Sequence, residues 1–290
     1  MADEKLMDAR EKVQVRSFYD SVGWKLEGDD CYQNARYEDL RPVSHEYIHR
    51  CHLRVNRHLK PSGRFLLDAG SGPVQYPEYL TYSAGYDYRV CADISILALR
   101  EARRRLGDKG LYVVADVANL PFKADAFGSV VSLHTLHHLP KEEQKRAYRD
   151  IYRVMLPGAS AVIVNGWPSS IFMKRLNWLV RIMERIKGIF KIEKRPEQNP
   201  AAKVETAPTG TFTEKMDAET LREELPELNV DIRVWRSVSV RFLRAVIHPW
   251  LGGRLWLRWI YRLEEKDPHK YGLIGQYPMI IFEKPERSDP

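Results

Sequence analysis

From residue 64 to residue 164 the chain alternates short apolar runs with longer stretches whose apolar positions recur at helical spacing. The runs at 65–67, 88–93, 110–115, 127–133 and 159–164 read as buried parallel strands. The stretches at 74–80, 96–106 and 142–156 read as the helices between them. This alternation predicts an α/β fold built on a doubly wound, mostly parallel sheet. Upstream, Pro42 opens a helix over 43–59, and Lys60-Pro61-Ser62-Gly63 stops it. Downstream, a helix at 217–225, which Asp217 can cap, leads to a sixth strand at 229–240. A last strand at 277–282 follows only after an insertion at 241–275. The chain therefore divides into a helical cap (1–60), an α/β core (61–165), a helical insertion with a linker (166–213) and a segment that completes the sheet (214–290).

The chemistry concentrates where the first strand ends, at Asp68-Ala69-Gly70-Ser71-Gly72-Pro73. A loop of so little bulk between strand and helix brings backbone close to a ligand at the carboxyl edge of the sheet. A dinucleotide fingerprint needs a third small residue, and Gln75 stands there; a P-loop needs a lysine that does not follow. Asp93, 25 residues beyond Asp68, ends the second strand and is placed to accept both ribose hydroxyls of a nucleoside. Ser95 can cap the helix that follows. One motif points elsewhere: His45-Glu46-Tyr47-Ile48-His49 has the H-E-x-x-H spacing of zinc proteases, with His52 on the same face. No downstream third-ligand segment is recognisable, so the expectation is a packing helix and no metal.

The pattern D-x-G-x-G-P resembles the first motif of class I S-adenosylmethionine (SAM)-dependent methyltransferases. A second stretch strengthens the resemblance: Ala115-Asp116, then Leu120-Pro121-Phe122 and Phe127, followed by Leu133-His134-Thr135-Leu136-His137-His138-Leu139. It is similar to the methyltransferase family that contains the quinone-biosynthesis C-methyltransferases and many small-molecule enzymes. The resemblance covers about a third of the chain and implies a Rossmann-like, seven-stranded sheet whose last strand is antiparallel. It also implies a SAM site, with S-adenosylhomocysteine as product. In that site Ala69, Gly70, Ser71 and Gly72 lie under the methionine part, and Asp68 orders the loop and the amino end. Asp93, Ile94 and Ser95 hold the ribose side. Asp116 bonds the adenine amino group, the Val117 N–H reaches the ring, and the backbone at Leu133 and His134 meets the methionine end. Phe18-Tyr19-Asp20 resembles an N-terminal motif that sets Tyr19 near the sulfonium or the carboxylate.

Charge is uneven. The net charge is +7, yet residues 171–195 alone hold eight Lys or Arg against two Glu. Phe172, Leu176, Leu179, Met183, Ile186 and Phe190 form an apolar stripe there, with Trp178 on its flank. Such a basic amphipathic helix lies on an anionic membrane or packs on its own domain or a dimer partner. The insertion at 241–275 carries Trp250, Trp256, Trp259, Tyr261 and Tyr271, with Arg254, Arg258 and Arg262 at i+4 spacing. It reads as an acceptor pocket or lid, as an interfacial anchor, or as simple packing. No recognised RNA module is evident, so no nucleic-acid partner is expected. Three unpaired cysteines (Cys31, Cys51, Cys91) and a charged N-terminus without an apolar core point to a reducing, cytoplasmic setting.

Methyl transfer from a sulfonium needs in-line alignment, exclusion of water and, for O–H or acidic C–H acceptors, a base. His137 and Tyr19 are the candidates, with His134 and His138 in shaping roles. The reading is an enzyme that methylates a small, apolar or lipid-like acceptor. The alternatives are a non-catalytic SAM-binding protein of the same fold and an NAD-dependent oxidoreductase.

Overall fold

The computed structural model describes residues 12–20, 38–191 and 212–287, with the backbone alone over 187–191. The charged N-terminus at 1–11, the lead-in at 21–37 with Cys31, the linker at 192–211 and the side chain of Phe190 lie outside the described residues.

Seven strands form one sheet: β1 (Gly63–Ala69), β2 (Tyr86–Asp93), β3 (Gly110–Val114), β4 (Phe127–Leu133), β5 (Met155–Val164), β6 (Asp231–Arg236) and β7 (Tyr277–Glu283), in spatial order 3-2-1-4-5-7-6. β1 to β5 pair in parallel, and β7 runs antiparallel between β5 and β6. The helices are α1 (residues 12–20), α2 (His45–Leu53), α3 (Pro77–Leu80), α4 (Ile96–Leu106), α5 (Lys141–Val154), α6 (Ile171–Lys191), α7 (Ala218–Glu224), α8 (Val240–Val246), α9 (Gly253–Lys266) and α10 (Pro268–Ile274). Leu66, Leu67, Val130, Val131, Val162 and Ile163 of the central strands are fully buried, because helices cover both faces. The strand order reverses between β1 and β4, and the glycine loop leaves β1 at that switch point, where such sheets bind ligands.

Several sequence-based boundaries move. The helix expected at 74–80 shrinks to α3, because Val74 is buried with φ +53 and Pro77 sets the first helical turn. β5 begins at Met155, ahead of the expected 159; Gly158, at φ +77, donates to the Lys284 carbonyl at 2.8 Å and so keeps the strand paired. The expected helix at 43–59 turns 3₁₀ after Leu53. Ser95 and Asp217 cap α4 and α7 as expected, accepting from the backbone N–H of Ala98 and Thr220.

The apolar stripe of α6 is used by the fold itself. Phe172, Leu176 and Leu179 pack on a cluster formed by Val180 with Tyr47 and Cys51 of α2, Phe242 and Leu243 of α8, and Leu257 and Ile260 of α9. Glu184 of α6 takes both N–H groups of Arg241, at 2.8 and 2.7 Å. Buried Glu264 of α9 accepts from Tyr47 Oη (2.7 Å) and from the backbone N–H of Ser237 (2.8 Å), with Arg54 Nη1 at 3.0 Å. The inserted segments thus form one accessory layer tied to the end of β6. Among the described residues no helix is long and apolar enough to cross a membrane.

Candidate functional site

The glycine loop adopts a conformation that only small residues allow. Gly70 has φ +77, and a Cβ there would lie 2.1 Å from Thr135 Cγ2. Thr135 Oγ1 donates to the Gly70 carbonyl at 3.0 Å and ties the loop to the end of β4. The loop's N–H groups turn inward: Gly70 and Ser71 donate to the Ala92 carbonyl, Val74 to Ser71, and Gly72 to Asp93 Oδ2 at 2.8 Å. A dinucleotide pyrophosphate needs such groups free and facing the ligand. Here they are already used, so the loop offers close backbone approach rather than an anion cradle.

A cavity of about 490 Å³ opens over this loop. Its lining includes Asp68, Gly70, Ser71, Gly72, Asp93, Ile94, Asp116, Val117, Leu133, His134, Tyr19 and His137, so most of the sequence-predicted residues converge. Ala69 and Ser95 stand behind the wall, both fully buried. Asp93 accepts from the backbone N–H of Gly72 and, through Oδ1, from that of Ser95 at 2.8 Å, which fixes its carboxylate at the cavity edge. Burial lifts Asp93 to about 6, against the two N–H bonds that favour its anion.

Three expected roles change in detail. Asp68 does not hold the glycine loop: it forms a buried ion pair with Arg89, whose Nε lies at 3.0 Å, and Asp93 holds Gly72 instead. Asp116 directs Oδ1 to the Ala118 N–H (2.9 Å), while Oδ2 accepts from Lys12 of α1 at 2.6 Å; Lys12 also reaches Glu143 at 2.6 Å. The His134 N–H is committed to the Val164 carbonyl at 2.7 Å and is therefore not available to a ligand; His134 sits at φ +56.

The histidines form a graded set. Tyr148 Oη accepts from Asn165 Nδ2 at 3.4 Å, which turns Asn165 Oδ1 toward His137 Nδ1 at 3.2 Å. That order puts the His137 proton on Nδ1 and leaves Nε2 as an acceptor. His138 Nδ1 donates to the Phe212 carbonyl at 2.8 Å, and its Nε2 lies 2.8 Å from Tyr19 Oη, which donates to it. Burial lowers all three imidazoles: His134 to about 3, with Arg236 beside it; His137 well below its usual range, with His138 and His134 adding; and His138 despite the Phe212 carbonyl. All three are neutral at pH 7.

Beyond His134 the cavity continues between Tyr76, Tyr79 and Tyr277, with Glu38 and Arg236 in its wall. Arg236 Nη1 donates to Glu38 Oε1, the guanidinium lies over the rings of Trp235 (5.1 Å) and Tyr277 (4.6 Å), and Nε has no hydrogen-bond partner among the described residues. Burial alone would raise Glu38; Arg236 and His52 outweigh it and hold the carboxyl at about 2. Lys215 stands at the mouth, its ammonium disfavoured by burial. Sequence reasoning missed Lys12, Glu38, Tyr76, Arg236 and Lys215, which come from five separate segments without a motif.

The histidines of the H-E-x-x-H helix are engaged within the fold. His49 and His52 both turn to Glu78, and His52 stacks on Trp235 at 5.4 Å. Among the described residues no three His, Cys, Asp or Glu are grouped to hold a metal ion.

Residues 67–163 match the family model described as Methyltransferase domain. This third of the chain is a methyltransferase domain. Over 140 residues it is 29% identical to a tRNA (carboxymethyluridine(34)-5-O)-methyltransferase of Arabidopsis thaliana, a match covering 42% of this chain and 33% of that protein. Over 138 residues it is 28% identical to the ubiquinone/menaquinone biosynthesis C-methyltransferase UbiE of Coxiella burnetii, covering 45% of this chain and 54% of the relative. The chain thus spans about a third and about half of these relatives' lengths. The structure of Haemonchus contortus phosphoethanolamine N-methyltransferase 1, at 10% identity and TM-score 0.55, covers 98% of this chain and 51% of its own and shares the fold.

SAM is the cofactor of this domain. The residues present fit it. The positive-φ glycine loop would leave room for a methionine backbone, Asp93 at the cavity edge would face the ribose, and Asp116 and Val117 would meet the purine edge, with Ile94 and Leu139 in the same lining.

Proposed function

We propose that this chain is a methyltransferase that moves the SAM methyl group to a small acceptor with an apolar or aromatic body. The observation that carries the reading is a single cavity running from the glycine loop past His134 to the tyrosine-lined compartment with Glu38 and Arg236. Bound SAM supplies a sulfonium-activated methyl group. The protein's part is alignment and dryness: Gly70 and Gly72 admit the methionine end, Asp93 fixes the ribose, and Tyr76, Tyr79 and Tyr277 wall the acceptor.

For an acceptor that loses a proton, two acceptor nitrogens are in reach. His137 Nε2, fixed by Asn165, can take the proton directly. His138 Nε2 can take it through Tyr19, with the phenol giving its proton to the imidazole as it receives one. The Tyr19–His138 pair is the stronger candidate, because the Phe212 carbonyl supports the imidazolium that forms. An amine acceptor entering neutral needs neither.

A lipid-like acceptor fits the same reading, and with it peripheral work at an anionic membrane; the exposed tryptophans of α9 support this. A tRNA acceptor is the second reading, favoured by the likeness of the core to relatives named for tRNA. One assay separates them. S-adenosylhomocysteine release is measured with purified protein and SAM, offered in turn a lipid extract, a pool of aromatic and amine metabolites, and bulk tRNA. Turnover with either of the first two is expected, lost in Tyr19→Phe and His138→Ala combined where the acceptor gives up an O–H or C–H proton and kept where it is a neutral amine; turnover with tRNA alone contradicts the small acceptor.

A further inference from the structure

Between residues 250 and 259 the chain shows solvent an uncommon density of large apolar side chains. Trp250 is 72% exposed, Leu255 69%, Trp256 56% and Trp259 52%, with Leu251 beside them. They do not belong to a loosely held segment. Leu257 and Ile260 of the same helix are buried in the accessory core, and Glu264 one turn on is fully buried. The turn ahead of α9 is equally fixed: Gly252 takes φ +67, and a Cβ on Gly253 would lie 2.8 Å from the His248 carbonyl. Trp250 stacks on His248 at 5.8 Å, and Trp256 meets Trp259 edge-on at 5.9 Å. The result is a rigid aromatic ridge with nothing covering it among the described residues.

Cations flank the ridge. Arg254, Arg258 and Arg262 are exposed on the same helix. Arg258 pairs with Glu46 at 3.1 Å, and Arg254 acts on the same carboxylate from beyond ion-pair distance; no close ion pair involves Arg254 or Arg262 among the described residues. Exposed Lys174, Arg175, Arg181 and Arg185 extend from α6, which packs in the same layer. Indoles that are apolar in body and polar at one edge, beside guanidiniums free to meet phosphate, match a bilayer interface carrying anionic headgroups. The apolar stripe of α6 is largely engaged by its own domain: Phe172, Leu176 and Leu179 pack on the accessory core and Met183 is buried, which leaves Ile186 as the exposed member among its described side chains.

We propose that the Trp250–Trp259 ridge of α9, with Arg254 and Arg262, docks the protein on an anionic lipid surface. This rests on the reading of the chain as working at a membrane, and of the two segments the sequence offered for such a contact, the basic helix α6 and the insertion at 241–275, it takes the second. Docking is reversible and peripheral: the indoles enter the headgroup region and the arginines exchange solvent for lipid phosphates.

The test uses the full chain with phosphatidylcholine vesicles, with and without phosphatidylglycerol, followed by flotation and by tryptophan quenching with bromine-labelled lipid. Binding to the anionic vesicles with quenching is expected. The triple variant Trp250→Ser, Trp256→Ser, Trp259→Ser and the double variant Arg254→Glu, Arg262→Glu should each weaken it at least about tenfold. Arg181→Glu with Arg185→Glu should weaken it less. All variants should keep the wild-type melting temperature and SAM affinity, since none touches the core or the cavity. No flotation on either vesicle overturns both the ridge and the membrane reading and leaves methyl transfer standing. Flotation lost in the α6 variant but kept in the tryptophan variant overturns the ridge alone. A self-association that the tryptophan variant abolishes, without vesicle binding, assigns the ridge to a second copy and overturns the proposal.

Discussion

Asp93 carries the most weight per atom in this molecule. It anchors the turn at Gly72 and the start of α4, and it is the carboxylate proposed here to hold the ribose. Its pKa near 6 in the folded chain lies above the ordinary value of 3.8. The sign follows. Protonation favours the folded state, so the penalty for the anion grows between about 4 and 6 and is complete above 6. Ribose hydroxyls favour the anion, so SAM binding is coupled to proton release. SAM affinity is therefore expected to be flat above about pH 7 and to fall by up to about tenfold per pH unit below 6. Calorimetry from pH 5 to 8 checks it, and Asp93→Asn should flatten the dependence while weakening binding. Gly70→Ala makes a separate prediction: positive φ and the clash with Thr135 should cost about 1–3 kcal/mol in chemical denaturation.

At the scale of elements, the sequence made the β1 loop, β2, β4 and the helix caps legible, because each is a local pattern with a local cause. Phe127 to Leu133 is an uncharged run of small and apolar residues, and Ser95 and Asp217 sit where orphan N–H groups need acceptors. What the sequence hid was long-range pairing. Nothing near Asp116 announces Lys12, more than a hundred positions away, and nothing near Arg236 announces Glu38. Asp68 was assigned to the loop by motif, yet Arg89 on the neighbouring strand claims it, a partner set by register rather than spacing. The Lys12 contacts tie α1 over the adenine end, so Lys12→Met should speed hydrogen exchange at 12–20 and the release of S-adenosylhomocysteine, without lowering the melting temperature by more than a few degrees.

At the scale of the molecule, the inserted segments form a layer joined to the sheet chiefly through buried charge. Glu264 serves Tyr47, Ser237 and Arg54 at once, and removing it takes the one fully buried carboxylate from Arg54, leaving Glu265 and the Trp235 carbonyl as its partners. Glu264→Ala should cost about 3–5 kcal/mol by urea denaturation, whereas Glu265→Ala, at the exposed end of the same network, should cost about 1 kcal/mol or less. The stripe of α6 shows why amphipathicity alone could not choose between a membrane and a core: both satisfy it, and only the packing of α8 and α9 decides.

The account stands or falls on the cofactor site. The most direct measurement is equilibrium titration of the full chain with SAM, S-adenosylhomocysteine and NAD, alongside Asp93→Ala checked for folding by its melting curve. Micromolar binding of both SAM and S-adenosylhomocysteine, no binding of NAD, and a loss of at least about tenfold in the variant are predicted, as expected for one lost bidentate, charge-assisted contact. A folded protein that binds NAD, or that binds neither sulfur compound, would contradict the reading of the glycine loop and everything built on it.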